Sequence, residues 1–303
     1  MKLRSLVLGL SFLIGGGVAY ADQAPDFGGD AKGALLALSN PDEYAWQVFM
    51  SIARPALPGM AGVADIDKKF GESPESPMVW ETWALESGNE RSEVYKPDGS
   101  TPMSWDKLDR KQRNLVLDQN LEAQAVLSKS TLIRPKFDAG APVSQEVRAN
   151  RSMFETIVTD GLYNADGLER QLALARSSNN RKLIQFLQGA KEIKAEWLPI
   201  KDEDKGRYVW RSSTNEKGKK ATYGLVALHI ITKDLPNWVW IDFGHRDCEE
   251  QKGACAIAPE PAMTSPKDST VGSDGIRGET KGTVWQNYRK RPVSQPLRFP
   301  SNT

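Results

Sequence analysis

Ala45, Val48, Phe49 and Ile52 fall at i, i+3, i+4 and i+7 and draw one apolar stripe along a helix. Asn40-Pro41-Asp42-Glu43 starts it. Asn40 supplies a capping oxygen, Pro41 suits the first turn, and Glu43 stands three residues after the cap. Pro55 and Pro58 stop the helix, and the Gly-, Pro- and charge-rich stretch to Pro77 reads as a surface loop. Val79-Trp80-Glu81-Thr82-Trp83 reads as buried core, in either strand or helix. Residues 106–128 have helical spacing in Leu108, Leu115, Leu117, Leu121 and Val126. Residues 144–163 mix alternating and helical fragments, with Phe154, Ile157, Leu162 and Tyr163 as core. Residues 165–177 and 181–187 read as helices. Residues 193–198 read as a strand ended by Pro199, and Tyr208-Val209-Trp210 as another. A polar turn over 212–220 leads to the next strand at Tyr223. After Cys255 the chain is rich in Pro, Gly, Ser and Thr, with 283–288 as its strand-like piece. Helices followed by strands on short polar turns predict an α+β fold, with a mainly antiparallel sheet, a central hairpin and packed helices.

The densest chemistry lies in YGLVALHIITKDLPNWVWIDFGHRDC, residues 223–248, which holds both histidines of the chain. It reads as two apolar strands joined at Asp234-Leu235-Pro236-Asn237, and as covered on both faces. A turn centred on Leu235 pairs His229 with Ile241 and His245 with Leu225. Both histidines then share one face about 13 Å apart, too far to hold one metal ion. Trp238 and Trp240 take the opposite face, and a one-residue slip would move them onto the histidine face. His245, beside Asp242 and Asp247, is the candidate for proton transfer near neutral pH, with His229 second. Lys194 shares a face of its strand with Glu196, while Trp197 takes the other. Lys194 with His229 or His245 makes the candidate catalytic set. Trp197, Trp238 and Trp240 are the candidate ligand-binding rings, each weighed against an ordinary place in the core. The site is expected where the strand ending at His245 meets the strand carrying Lys194.

Composition and the termini narrow the setting. Lys2 and Arg4, then an uncharged apolar run to Val18, then Ala19-Tyr20-Ala21, form a signal peptide over 1–21. Residues 22–303 are expected as a single domain with a long loop-rich tail. Removing Lys2 and Arg4 from the 40 basic residues leaves 38 against 39 acidic, a near-neutral balance without an electrostatic footprint for nucleic acid. No stable membrane insertion is expected after cleavage. Cys248 and Cys255 are the two cysteines, and in an oxidising compartment they read as a disulfide. The chain lacks CxxCH, HExxH, an EF-hand loop, Walker A, GxGxxG and GxSxG. No metal site is expected, and the sequence leaves a non-covalent cofactor open.

AWQVF, VWE, KAEW, GLVALHIITK…WVWIDFGH and WQNY, in that order, resemble an uncharacterised family of exported bacterial proteins. The resemblance rests chiefly on the central segment, which in that family reads close to GLVGLHIxxKTxxxxxWxWxTFEH. Some members carry a cytochrome-like haem motif; this chain has none, and Gly244 stands where the family pattern has Glu. The resemblance implies export and a shared architecture. The reading reached is an exported, periplasmic or secreted binding or accessory protein for a small molecule or envelope protein, linked to a redox or envelope process. The alternative is an envelope hydrolase acting through carboxylates and His245.

Overall fold

The computed structural model describes residues 27–86, 92–108, 144–177, 184–214, 220–250, 255 and 268–293. The signal peptide and nearly all of the helix expected over 106–128 lie outside them. Helices α1 (Ala31–Ser39) and α2 (Pro41–Ile52) come first. Asn40 Oδ1 accepts from the Glu43 N–H at 3.1 Å, and the whole predicted stripe of α2 is buried. Strands β1 (Ala84–Leu85) and β2 (Ser144–Ala149) precede α3 (Arg151–Thr159) and α4 (Ala165–Ser177). Strands β3 (Lys191–Pro199), β4 (Trp210–Thr214), β5 (Lys220–Thr232) and β6 (Val239–His245) follow. A one-turn α5 (Arg246–Glu249) and a last strand β7 (Tyr288–Lys290) complete the order. Residues 184–187, expected as the end of a helix, are not helical. Gln188 and Gly189 form a turn there, and Gly189 has a positive φ of 85° that a helix does not allow.

These strands form one antiparallel sheet in the order β1-β2-β3-β5-β6-β7, with β4 also on β5. Strand β5 is long enough to serve two neighbours on one side. Residues 220–224 pair with β4 and residues 227–232 with β6. The fold is therefore α+β with a mainly antiparallel sheet, and the β5–β6 hairpin is central to it.

One face of the sheet carries Ile193, Ala195, Trp197, Leu228, Ile230, Ile241 and Phe243, all buried. Helix α2 lies on it: Phe49 stacks on Phe243 with ring centroids 4.0 Å apart, and Trp46 meets the same ring at 4.9 Å. Trp80 covers Trp197. Val79–Trp83 is core as expected, with Trp80–Thr82 in a 3-10 turn. The C-terminal segment does more than trail across the surface. Trp285 and Tyr288 enter the core, and Trp285 packs edge-on against Phe49 at 5.0 Å.

A smaller cluster of Leu198, Tyr208, Val226, Cys248 and Cys255 closes the end of the sheet beyond His245. Cys248 and Cys255 form a disulfide with Cα atoms 4.7 Å apart, inside the usual range. Reducing it should lower stability by roughly 2–3 kcal/mol on the loop-entropy argument. Urea titrations with and without reductant would measure the loss, and unchanged midpoints would reject the estimate.

Candidate functional site

The register of the β5–β6 hairpin decides which side chains meet. The loop between the strands runs over 233–238, an even number of residues, so His229 pairs with Asp242 and not with Ile241. Alternation then turns Asp242 and Trp240 to the face of His229. His245 goes to the other face, with Ile241 and Phe243. The expectation that both histidines share a face is thereby corrected, and the two tryptophans do not share one face opposite them.

His245 is fully buried at the end of β6. Its ring lies against Tyr208 at 3.9 Å and edge-on to Tyr288 at 5.0 Å. Asp247 N–H donates to Nδ1 at 3.1 Å, capping the start of α5, and Nε2 donates to the Arg207 carbonyl at 3.1 Å. Both ring nitrogens are thus spent on the neutral tautomer. Burial pushes the imidazole down to about 4. Asp247 is occupied as well, accepting from Tyr208 Oη at 2.7 Å and from the Arg207 guanidinium. The geometry gives His245 a structural role, and it is not poised for proton transfer with a ligand.

Lys194 stands directly across from His229, and His229 directly across from Asp242. Val147 flanks Lys194, and Glu86, just past β1, donates its N–H to the Val147 carbonyl at 2.9 Å. One row thus crosses five strand positions as Glu86, Val147, Lys194, His229 and Asp242. The next row on the same face runs Ala149, Glu192, Ile231 and Trp240. This face was expected to be covered. Instead Trp240 is 43% exposed, and the side chains of His229 and Asp242 are 34% and 40% exposed. The sheet thus has one dry face and one face partly open to water, as antiparallel sheets commonly do.

His229 Nδ1 and Asp242 Oδ1 lie 2.5 Å apart, and the Trp240 ring is 5.3 Å from the imidazole. The carboxylate fixes the ring through Nδ1, and Nε2 is held by no partner among the described residues. A half-exposed histidine oriented by a carboxylate is a group that hydrogen-bonds a ligand or moves a proton. Lys194 Nζ leans along its own strand to Glu196, 3.9 Å away. Beside this row, the Glu86 and Glu192 carboxyls act on one another, and the charges of both act on the Tyr95 hydroxyl. Burial, with the Glu192 charge, pushes the Glu86 carboxyl well above the usual carboxylate range. Burial raises Glu192 too, with His229 acting against it.

Of the candidate rings, Trp240 is on this face. Trp197 is fully buried on the other, its indole N–H donating to Glu146 Oε1 at 3.2 Å. Trp238 precedes β6 and packs on Phe186 at 5.3 Å. Strand β5 separates Lys194 on β3 from His245 on β6, and the two side chains take opposite faces, so the expected pairing of those two residues does not form. Lys194 and His229 are cross-strand neighbours in register, with Lys194 Nζ directed to Glu196.

Glu86 and Glu192 were not anticipated. Glu192 carried a signal, since it shares strand parity with Lys194. Glu86 carried none, because β1 is two residues long and leaves no alternation to read. Gly244, on the open face, is tied to its neighbour: a Cβ there would meet Arg291 Nη2 at 2.7 Å. Among the described residues, no group of three or more His, Cys, Asp and Glu is arranged to hold a metal ion. No helix among them is long and apolar enough to cross a membrane. No family model, no curated protein and no solved structure matches this chain.

Proposed function

We propose that this chain is an exported, periplasmic or secreted, binding or accessory protein that takes a small polar molecule on the open face of its sheet. The observation that carries the reading is the juxtaposition of Trp240 with the oriented His229–Asp242 pair in a partly exposed row. An exposed ring beside fixed hydrogen-bonding groups is the composition of small-molecule sites. The Cys248–Cys255 disulfide supports an oxidising compartment.

Native mass spectrometry of protein purified from that compartment, followed by a thermal-shift screen of polar metabolites, tests the reading. A retained or screened ligand should raise the melting temperature of the wild type. The same ligand should raise it by less than half as much in Trp240→Ala and His229→Ala, both expected to fold because the positions are half exposed. A ligand that stabilises both variants fully, or no ligand in either experiment, would sink the proposal.

A hydrolase is the second reading, and the His229–Asp242 geometry is what favours it. His229 would take the base role, with Asp242 orienting it and a protonated carboxyl at Glu86 or Glu192 as the acid. Turnover of an ester or glycoside panel that vanishes in His229→Ala and persists in His245→Asn would move the reading from binding to catalysis.

A further inference from the structure

We propose that the ligand of the open face is a short, uncharged saccharide, with one sugar ring stacked on Trp240 and its hydroxyls hydrogen-bonded along the row of Lys194, His229 and Asp242. The proposal rests on the binding reading above and names the chemical class of what is bound.

Four observations carry it. The first is the setting of Trp240. Of the nine tryptophans, six are buried, Trp210 and Trp238 are half-buried, and Trp240 alone is exposed. It stands within β6, so its backbone is fixed and alternation points the ring off the sheet. An indole held this way is an apolar plate for the C–H face of a sugar ring, with a polar N–H at its edge. The second is His229. Asp242 holds Nδ1 at 2.5 Å, and Nε2 has no partner among the described residues. A hydroxyl both donates and accepts, so it pairs with Nε2 whether or not the imidazole carries a second proton. A carboxylate or an ammonium pairs with one of those two states only.

Third, the charged side chains of this face on β3, β5 and β6 already engage one another. Lys194 Nζ lies 3.9 Å from Glu196, Gln145 Nε2 donates to Glu196 Oε1 at 3.1 Å, and Asp242 is on His229. Burial raises the Glu192 carboxyl in the row of Trp240, which favours its uncharged form. A neutral, hydroxyl-rich molecule uses the spare lone pairs and N–H groups of such pairs without breaking them. An ion has to displace a partner first. Fourth, the shape suits a chain of rings. Ala227 lies in register between Glu196 and Gly244, and the Arg291 guanidinium lies over Gly244. The short side chain leaves a shallow depression beside His229, walled by Glu196 and Arg291. From Gln145 on β2 to Asp242 on β6 the polar groups cross three strand spacings, about 14 Å. That reach exceeds one aromatic ring and suits linked sugars.

Maltotriose, cellotriose, xylotriose and tri-N-acetylchitotriose are the neutral probes. Trigalacturonate and chitotriose are their acidic and basic counterparts, and adenosine is an aromatic control that needs only the ring. In titration calorimetry at least one neutral probe should bind, at least about tenfold tighter than either charged trisaccharide or adenosine. Trp240→Ala should weaken that probe at least about tenfold, and Trp240→Phe by less, since a ring remains. His229→Ala should weaken it about threefold or more, the scale of one lost hydrogen bond. If adenosine or a charged trisaccharide binds through Trp240 and no neutral probe does, the saccharide class is wrong and the open-face site stands. If no probe binds, this proposal falls, while the metabolite screen above still judges the open face. A neutral probe held equally well by Trp240→Ala and His229→Ala sits elsewhere and overturns it too. Melting curves confirm that the variants fold, as expected for side chains that are partly exposed.

Discussion

Replacing Arg211 by Met should destabilise the protein by about 3–5 kcal/mol, the scale for breaking one side of a buried ion pair. Arg211 sits on β4 and reaches the 3-10 turn below the sheet. Its Nε and Nη2 donate to the two carboxylate oxygens of Glu81 at 2.7 and 2.5 Å. The same guanidinium donates to the carbonyls of Pro74 at 2.9 Å and Ser76 at 3.0 Å. Glu81 in turn accepts from the Met78 N–H at 2.8 Å. One side chain thereby ties the loop before Trp80 to the sheet. The side chains of Glu81 and Arg211 are only 9% and 13% exposed, so removing the arginine leaves a carboxylate that water reaches poorly. Burial works against the Arg211 charge, and Glu81 more than offsets it, holding the guanidinium above its ordinary range. Urea unfolding of Arg211→Met and of Arg211→Met/Glu81→Leu separates the causes. The double variant should recover much of the loss, since no charge is then stranded. A single variant within about 1 kcal/mol of wild type would mean that the pair behaves as an exposed one.

Acid should destabilise the fold through His245. Its folded value is lowered to about 4 from an ordinary value of 6.5 because the ring is buried, an effect that the Arg207 carbonyl on Nε2 and the Asp247 charge oppose without offsetting. The unfolded chain therefore binds a proton more readily than the folded one. The contribution of this group is fully present above pH 6.5 and is lost as pH falls toward 4, amounting to about 3 kcal/mol over that window. The carboxyls of Glu146, which is buried, and of Glu86 and Glu192, which are partly buried, are raised by desolvation and act in the opposite sense, so the His245 share needs a residue-level measurement. With two histidines in the chain, NMR provides it: His229→Gln leaves a single imidazole to follow. Its ring resonance should stay that of the neutral form down to about pH 4.5, while urea stability falls over the same range. A His245 ring that titrates near 6.5 would overturn this reading.

Helix α2 shows what local sequence reaches. Its cap, its first-turn proline and its buried stripe are all set by residues within one segment, so they were legible before any tertiary contact was known. Strand β3 was legible for the same reason, since alternation alone buries Trp197 and turns Lys194 outward. The seven-residue spacing of Cys248 and Cys255 likewise announced a disulfide. The end of the helix expected over 181–187 was less legible, because the apolar pattern there does not register that Gly189 needs a positive φ.

The candidate site depended on something the pattern of residues leaves open. Sequence determined that His229, His245, Lys194 and Trp240 lie in strands, and which neighbours alternate with them. It did not determine how β5 and β6 are paired, because the loop over 233–238 has no Asn-Gly or Gly-X turn to fix its length. A strand repeats every two residues, so a shift of one in the pairing exchanges the faces. The tertiary structure settled that shift. Asp234 in the loop accepts from Gly29 N–H at 2.5 Å and from the hydroxyl of Tyr44 on α2, anchoring the loop to the helix layer. With the loop held there, His229 meets Asp242 and Trp240 on the open face and His245 is buried on the other. Glu86 and Glu192 act on one another only because β1, β2 and β3 lie side by side, an influence between residues 106 positions apart that no local pattern encodes.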